Sequence, residues 1–237
     1  MPGLLVVITG ASSGIGLALA RTFAKEDNAL LLIARHMKAL DGLPADRTAY
    51  AEADVADYAA LERAIRGAER KFGKTACLIN SAGMADARAF TDVEPEAFSH
   101  EIDVNLKGTL NATKVVIGNM QAAKSGTIIN ISSVSDRKTS PVAVGYTASK
   151  YAVRAAGESL REAVGMQEVR VINEAPAYIK TNIHKGMGIS FEEYCRLLGS
   201  PDFLEAEELA EIVLYCWKLP STICIRDIVV APTRSGF

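Results

Sequence analysis

Seven short apolar segments alternate along this chain with longer segments of helical period, and this alternation constrains the fold more than any other feature. We predict strands at Leu4–Ile8, Ala29–Ile33, Thr48–Ala53, Cys77–Asn80, Thr127–Ile131, Arg170–Ala175 and Ile225–Val230. Continuous apolar character is typical of parallel strands buried on both faces. Predicted helices lie between them, at Gly14–Lys25, Tyr58–Phe72, Pro95–Ala123, Tyr146–Val164 and Ala206–Lys218. This order predicts an α/β fold, a single doubly wound parallel sheet of about seven strands with helices on both faces.

A glycine-rich turn, Thr9-Gly10-Ala11-Ser12-Ser13-Gly14-Ile15-Gly16, follows the first predicted strand and leads into the first helix. Glycines allow the backbone to approach a pyrophosphate closely, and the helix that follows offers free N–H groups and the positive end of its dipole. The turn therefore predicts a dinucleotide site. A tight turn that binds no ligand is the alternative interpretation of this motif by itself.

Tyr146 and Lys150 are four residues apart on a predicted helix, with Ser133 thirteen residues before the tyrosine. Residues four apart share one helix face, with Cβ atoms roughly 5–6 Å from each other. An ammonium at that distance favours the phenolate, and it lowers the pKa of the phenol from about 10 towards the range of an effective general acid. Together with the glycine-rich turn, the pair predicts a nicotinamide-dependent oxidoreductase. The alternative is an amphipathic helix start with a solvated lysine.

Composition excludes several other classes of function. The formal charge is −2 and no run of Lys or Arg occurs, so neither nucleic acid nor an anionic membrane is expected as a partner. The three histidines are scattered, and no metal site is expected. The first strand leaves no room for a signal peptide, and the four cysteines show no C-x-x-C spacing, so we expect reduced thiols in a cytoplasmic protein.

The motifs together resemble the short-chain dehydrogenase/reductase family in its compact form, and they occur in that family's order and spacing over nearly the whole chain. They are the Thr9–Gly16 turn, Asp54-Val55, Asn80-Ser81-Ala82-Gly83, Val104-Asn105-Leu106, Ile131-Ser132-Ser133, Tyr146-x-x-x-Lys150 and Pro176…Thr181. The resemblance implies a single dinucleotide-binding and catalytic domain over residues 1–237, a small-molecule substrate, and a homodimer or homotetramer paired through the helices Pro95–Ala123 and Tyr146–Val164.

The resemblance also implies a role for each catalytic residue. Tyr146 corresponds to the acid–base that exchanges a proton with the substrate oxygen, and Ser133 to a hydroxyl that hydrogen-bonds the same oxygen. Lys150 corresponds to the residue that lowers the pKa of the tyrosine and binds the nicotinamide ribose. Asn105 corresponds to a residue that holds a proton-relay water.

The cofactor is expected to lie along the carboxyl ends of the strands. Asp54 is expected at the adenine ring, although it could instead cap the following helix, a place for which Asp57 is better suited. The full predicted set is Gly10, Ser12, Ser13, Gly14, Ile15, Gly16, Arg35, Asp54, Val55, Asn80, Ala82, Gly83, Tyr146, Lys150, Pro176, Ile179 and Thr181. The segment 181–201 has no clear period and is predicted to be a lid over the substrate.

The residue after the second strand bears on the choice of nicotinamide. An acid there binds the 2′-hydroxyl of NAD, whereas an arginine accommodates the 2′-phosphate of NADP. Arg35 stands at this place, and no acid appears before Asp41. NADP is therefore the expected cofactor and NAD a weaker alternative, unless Arg35 is an ordinary surface residue.

Two points remain open at this stage. A catalytically silent, dinucleotide-sensing regulator of the same fold is an alternative to the enzyme, although regulators of this kind generally lose the tyrosine or the lysine, and this chain keeps both. A nucleotide-sugar epimerase would need a substrate domain, for which the residues after Pro176 leave little space.

Asp136 and Arg137 follow the serine where the family has small residues, and they are expected either to recognise a polar substrate or to be solvated.

Overall fold

The computed structural model describes residues 3–235, which form a parallel sheet between two layers of helices. Its strands are β1 (Leu5–Thr9), β2 (Ala29–Ala34), β3 (Thr48–Glu52), β4 (Thr75–Asn80), β5 (Gly126–Ile131), β6 (Val169–Pro176), β7 (Ile179–Lys180), β8 (Leu204–Glu205) and β9 (Asp227–Val230). Seven of these form one sheet in the order β3-β2-β1-β4-β5-β6-β9, in which every pairing is parallel. The predicted doubly wound, Rossmann-type sheet is confirmed.

Eight α-helices cover the sheet and the loops at its carboxyl edge within the described part of the chain. They are α1 (Gly14–Ala24), α2 (Tyr58–Phe72), α3 (Pro95–Ile102), α4 (Gly108–Ala123), α5 (Val144–Val164), α6 (Ile183–Gly186), α7 (Phe191–Leu197) and α8 (Ala206–Lys218). Asp57 caps α2 by accepting a hydrogen bond from the backbone N–H of Ala60, as the sequence suggests.

Two hydrophobic cores fill the space between the sheet and its helices. One face of the sheet packs on α1 and α8, with Phe23, Leu209 and Val213 fully buried. The other face packs on α2 and α4, around Leu61, Ile65 and Val116. Because both faces are covered, central strands such as β2 are apolar along their whole length, which is why they can be predicted from sequence.

The predicted elements differ from the structure mainly at their ends. Leu4 is exposed and precedes β1, and the last strand begins at Asp227 rather than Ile225. The predicted helix Pro95–Ala123 contains a π-helical turn at Asp103–Lys107, and α5 begins two residues earlier than expected. The structure adds the short helices α6 and α7, which lie in the segment 181–201 that shows no clear period, and the small parallel sheet of β7 and β8 on either side of it.

Candidate active site

A cleft with a volume of about 350 Å³ runs along the carboxyl ends of the central strands. It lies where the strand order reverses, between β1 and β4, the usual place for a ligand in a doubly wound sheet. Most of the predicted site residues line it, namely Gly10, Ser12, Ser13, Gly14, Ile15, Gly16, Arg35, Asp54, Val55, Ala82, Gly83, Tyr146, Lys150 and Thr181. Asn80, Asn105, Ser133, Pro176 and Ile179 do not line it.

The turn between β1 and α1 is closely packed and leaves its backbone open to the cleft. Gly10 has a φ of +69°, and a Cβ there would lie 2.7 Å from the Cα of Ala82, so the turn requires glycine. Gly16 is equally constrained, because a Cβ on it would lie 2.2 Å from the carbonyl oxygen of Gly10. The first helical hydrogen bond of α1 runs from the N–H of Leu17 to the carbonyl oxygen of Ser13, at 3.1 Å. The free N–H groups before it could hold an anionic pyrophosphate.

The ends of β2 and β3 supply the polar groups at one side of the cleft. Arg35 and His36 line it directly after β2, and neither side chain forms an ion pair with an acidic residue among residues 3–235. Asp54 lines it after β3, where its Oδ1 accepts a hydrogen bond from the N–H of Ala56 at 2.8 Å. Arg35 is exposed, so its guanidinium is accessible to an anionic ligand.

The loop after β4 forms the opposite wall. The N–H groups of Ser81 and Ala82 both donate to Thr9 Oγ1, at 3.1 and 3.2 Å, which ties this loop to the end of β1. Asn80 is buried behind the wall, and its Nδ2 donates to Thr113 Oγ1 and Asn130 Oδ1. Asn80 therefore holds the ends of β4 and β5 together rather than facing the cleft.

Two buried hydroxyls in the walls fit a polar ligand. Ser81 Oγ and Ser132 Oγ are both buried without a hydrogen-bond partner among the described residues, and both residues line the cleft. Buried polar atoms are seldom left unpaired in folded proteins. These hydroxyls, the free N–H groups at the start of α1 and the Arg35 guanidinium therefore form a donor set that suits a dinucleotide.

Tyr146 and Lys150 lie one turn apart on α5, and the structure brings Ser133 to the tyrosine. The Ser133 hydroxyl lies close enough to the phenol of Tyr146 to lower the pKa of that phenol, and Ser133 Oγ accepts the N–H of Ser135 at 3.1 Å. Lys150 Nζ lies 5.6 Å from the centroid of the Tyr146 ring and donates to the carbonyl oxygen of Ile131 at 2.9 Å. The three side chains thus form one polar cluster at the end of β5.

The pKa of the tyrosine differs from the sequence-based expectation. Burial raises the pKa of Tyr146 above that of a free phenol, and the hydrogen bond from Ser133 only partly opposes this. Burial also lowers the pKa of Lys150 to about 8, although the negative charge of Asp136 works in the other direction. The expected lowering of the tyrosine pKa by Lys150 does not appear, and burial of the phenolate is the largest influence on this group.

Asn105 lies in the π-helical turn and is 1% exposed. Its Oδ1 accepts the N–H of Met84 and its Nδ2 donates to Met84 O, each at 2.9 Å, so the side chain fixes the loop after β4. Nδ2 also donates to Ser149 Oγ, next to Lys150 on α5. Asn105 thus connects two walls of the site. Single-turn π-helices of this kind are frequent at functional sites.

The predicted residues after β6 take different positions. Pro176 ends β6, and Ile179 is buried in β7. Of the three, only Thr181 reaches the cleft. Its side chain lies close to Gly14, because a Cβ added to Gly14 would be 3.3 Å from the Cβ of Thr181. Asn182, Ile183 and Gly186 continue the lining from α6. They lie within the predicted lid segment 181–201, but no motif marks them individually.

The expectation of a solvated charge is wrong for Asp136. Asp136 is 0% exposed and accepts hydrogen bonds from Arg137 Nε at 2.6 Å and Asn173 Nδ2 at 2.9 Å. Arg137 also donates to both carboxylate oxygens of Asp227 on β9. The two charges are therefore paired in a network that is buried at Asp136 and partly exposed at Arg137 and Asp227.

Two further properties concern the described residues as a whole. None of their helices combines the length and the apolar character needed to cross a membrane. Residues 3–235 also contain no cluster of three or more His, Cys, Asp or Glu side chains that could hold a metal ion.

Comparison with known proteins points to one family. The model of the family described as short chain dehydrogenase matches residues 4–189. An uncharacterized oxidoreductase of Staphylococcus saprophyticus is 30% identical over 235 residues, which cover 96% of this chain and 97% of the relative. The glycine betaine reductase of Emericella nidulans is 29% identical over 98% of this chain, but the match spans only 19% of that longer protein.

Solved structures share the fold. The closed form of a serine dehydrogenase complexed with NADP+ superposes with a TM-score of 0.89 at 25% identity, covering 99% of this chain and 97% of the other. An alcohol dehydrogenase of Thermococcus sibiricus, complexed with 5-hydroxy-NADP, superposes with a TM-score of 0.83 at 24% identity, covering 96% and 95% of the two chains.

Proposed function

This chain is an oxidoreductase of the short chain dehydrogenase family, and on that basis we propose that it transfers a hydride between NADP(H) and a small substrate. The substrate is a carbonyl compound, a secondary alcohol or a hydroxy acid, and Tyr146 is the general acid–base. One observation carries the proposal: the glycine-rich turn, the start of α1 and the Tyr146–Lys150 pair all line the same cleft.

NADP is the proposed cofactor, with NAD as a weaker alternative. Arg35 is exposed at the end of β2, and no acid lines the cleft at that place among the described residues. The guanidinium would pair with a 2′-phosphate, while Ser12 and Ser13 add hydroxyl donors from the turn. The NADP-type ligands of the superposed dehydrogenases support this choice.

In the proposed mechanism the bound nicotinamide supplies or accepts the hydride, and the protein handles the proton. In the reductive direction Tyr146 donates its phenolic proton to the carbonyl oxygen as that oxygen gains negative charge. Ser133 Oγ accepts the Ser135 N–H, so its own hydrogen can turn from the Tyr146 phenol to the substrate oxygen when a substrate binds. The Lys150 ammonium stabilises the phenolate that remains on Tyr146.

Removal of the Tyr146 hydroxyl tests this proposal. Tyr146→Phe removes the proton donor and keeps the ring, so turnover should fall at least ~10²-fold, the usual contribution of a general acid–base, while NADP+ binding remains nearly unchanged. Turnover would be followed by nicotinamide absorbance with a panel of carbonyl compounds and alcohols. More than a tenth of the wild-type rate in the variant would exclude Tyr146 from this role.

The same panel tests the second candidate function, a dinucleotide-sensing regulator. Such a protein would bind NADP(H) with measurable affinity and turn over no member of the panel in either direction. Tyr146, Ser133 and Lys150 form one polar cluster in this protein, which favours the enzyme.

We also propose a cytoplasmic, reducing location for the protein, since all four cysteines are free thiols.

A further inference from the structure

Glu101 is an acid buried between the loop after β4 and the start of α5, and it takes no part in the proposed proton transfer. It lies on α3 and is 1% exposed. One carboxylate oxygen, Oε1, accepts the N–H of Asp86 in the loop at 2.7 Å. Burying a carboxyl group costs free energy that a single hydrogen bond offsets only in part, so the position of Glu101 needs a reason.

The second oxygen of Glu101 lies against Gly145, the residue directly before Tyr146. A Cβ added to Gly145 would be 2.4 Å from Glu101 Oε2 and 3.0 Å from Phe98 Cβ, so α3 approaches α5 here more closely than a side chain on Gly145 would allow. Oε2 cannot easily swing away, because Oε1 is held by the Asp86 N–H and the side chain is buried. Glu101 thus contacts both the loop after β4 and the first turn of the helix that carries the proposed acid–base.

Asn105 makes the same kind of connection about one turn further along the chain. Its side chain bonds to both backbone groups of Met84 in the loop, and it donates to Ser149 Oγ on α5 at 2.9 Å. Ser149 Oγ in turn donates to the carbonyl oxygen of Tyr146 at 2.7 Å. Glu101 and Asn105 are four residues apart, so the two links form one row between the loop and α5.

The residues that these two links contact on α5 have the same spacing as the proposed catalytic pair. Gly145 and Ser149 are one turn apart on α5, and so are Tyr146 and Lys150, each of which follows one of them directly in the chain. The backbone hydrogen bonds of a helix hold neighbouring residues at fixed angles about its axis. A rotation of α5 that moved Gly145 away from Glu101 would therefore also move the Tyr146 hydroxyl within the cleft.

We propose that Glu101 is a positioning residue, which fixes the rotation of α5 and so places the Tyr146 hydroxyl for proton transfer. The inference rests on the proposed function, because that function gives the hydroxyl its role. Glu101 does not line the cleft, and it acts through Gly145 and Asp86. A displacement on the order of 1 Å at a reacting group can lower a rate about 10²-fold, so the contact should matter to the chemical step more than to the binding of NADP(H).

Two substitutions of Glu101 separate the contact from the charge. Glu101→Ala removes both contacts of the carboxyl group, so kcat should fall at least ~10-fold, while KM for the substrate and the dissociation constant of NADP+ change less than about threefold. Glu101→Gln keeps the shape and an oxygen that accepts the Asp86 N–H, so it should retain more than about a third of the wild-type kcat. Glu96→Ala is the matched control, since Glu96 is exposed on the same helix and should leave kcat unchanged.

Gly145→Ala tests the same contact from the other side. The added methyl group would collide with the carboxyl group of Glu101, so kcat should again fall at least ~10-fold. In the Glu101→Ala background that collision is gone, and the same change should cost less than about threefold. Equal losses from Gly145→Ala in both backgrounds, a wild-type kcat in Glu101→Ala, or equal losses in Glu101→Ala and Glu101→Gln would overturn the inference. If Glu101→Ala does not fold, Glu101→Leu fills the space without an acceptor for the Asp86 N–H and should lose kcat in the same way.

Hydrogen exchange measured by mass spectrometry gives a readout that does not depend on turnover. In Glu101→Ala, exchange should rise several-fold in peptides that cover the loop 84–92 and the start of α5 at 144–152, and it should stay unchanged in β2 and α8. A uniform rise throughout the protein would show a general loss of stability and would overturn the inference.

Exchange and turnover together distinguish the two proposals. If the wild-type protein turns over no substrate but exchange rises only in these two segments of Glu101→Ala, the proposed function fails and the contact role of Glu101 remains. If turnover is present and neither kcat nor exchange changes in Glu101→Ala, the inference fails and the proposed function remains.

Discussion

Three acidic side chains lie inside this protein close to the proposed chemistry, and each is held differently. Asp136 is paired with an arginine, while Glu101 accepts only the N–H of Asp86, at 2.7 Å. Both oxygens of Glu174 are buried without a partner among the described residues. Burial, and after it the charge of Asp86, raises the pKa of Glu101 to about 7. The negative charge around the site therefore changes near neutral pH, where Glu101 gains or loses its proton.

Glu174 should make the stability of the protein depend on pH. It is 0% exposed on β6, and burial, followed by the charge of Asp227, raises its pKa to about 8 from an ordinary 4.5. The unfolded chain therefore loses this proton at lower pH than the folded protein does. The contribution of Glu174 to the free energy of unfolding is complete below about pH 4.5. It is lost as pH rises towards about 8, at roughly 1.4 kcal/mol per pH unit.

Urea unfolding between pH 5 and pH 8 measures this effect. Glu174→Gln removes the titration, so its stability relative to the wild type should increase with pH, by a total of about 3 kcal/mol. Glu207→Gln, on the exposed side of α8, is the control and should leave the pH dependence unchanged. A constant difference between Glu174→Gln and the wild type would contradict the prediction.

Arg35 should decide the choice of cofactor. We expect the wild-type enzyme to prefer NADP(H) over NAD(H) by at least about tenfold in kcat/KM, which corresponds to ~1.4 kcal/mol. Arg35→Ala should remove most of this preference and leave NAD kinetics nearly unchanged, because only the 2′-phosphate loses a partner. Steady-state kinetics with both cofactors measures it, and equal efficiency in the wild type would show the assignment to be wrong.

At the scale of elements, segment 181–201 is organised around aromatic rings rather than around regular strands or long helices. The ring of His184 on α6 lies 5.5 Å from that of Phe191 on α7, and Phe203 contacts both Phe191 and Tyr194. Helix α7 begins with a capping box between Ser190 and Glu193. The segment thus has a small ring cluster, shared with Phe203, and we expect it to move as a unit at the edge of the cleft.

The predicted lid can be tested by limited proteolysis. Lys185 and Arg196 are exposed in this segment and are cleavable by trypsin. Cleavage at both should slow several-fold when NADP(H) and substrate close the segment over the cleft. Cleavage at Lys74, exposed between α2 and β4, is the internal control and should not change. Equal cleavage at Lys185 and Arg196 with and without ligands would count against a lid.

At the scale of the whole molecule, the helices α4 and α5 leave apolar side chains on the surface. Leu110 is 46% exposed and Tyr151 is 41% exposed, and Ala155 and Ala163 on α5 are also exposed. Small and apolar residues on two long helices suit pairing with a second copy of the chain about a two-fold axis. We therefore expect a dimer or a tetramer.

Sedimentation velocity at micromolar concentration tests the assembly. The wild type should sediment as a dimer or larger species, and Tyr151→Glu should shift the distribution towards the monomer, because it places a charge in the apolar interface. Met166→Glu is the control, since it changes an exposed apolar residue at the far end of α5. A strictly monomeric wild type would refute the proposed assembly.

Local sequence signals were sufficient for the fold and for most of the cleft. The continuous apolar strands follow from a sheet that is covered on both faces, and the glycine-rich turn follows from the close contacts at Gly10 and Gly16. The spacing of Tyr146 and Lys150 fixes one helix face. The strand pattern, the glycine motif and the Tyr146–Lys150 spacing are visible in residues near each other in the chain, so periodicity and spacing are enough to predict them, although Gly10 meets Ala82 from a distant segment.

Only the tertiary structure determines which titratable side chains are buried or paired, and in which direction their pKa values are shifted. Asp136 meets Asp227 through Arg137, although 90 residues separate Arg137 from Asp227 in the chain. Glu174 is buried because β6 lies between β5 and β9, and Tyr146 is buried enough to raise its pKa. Burial and pairing between distant segments set the free energy of a buried charge, and neither quantity is contained in a local sequence pattern.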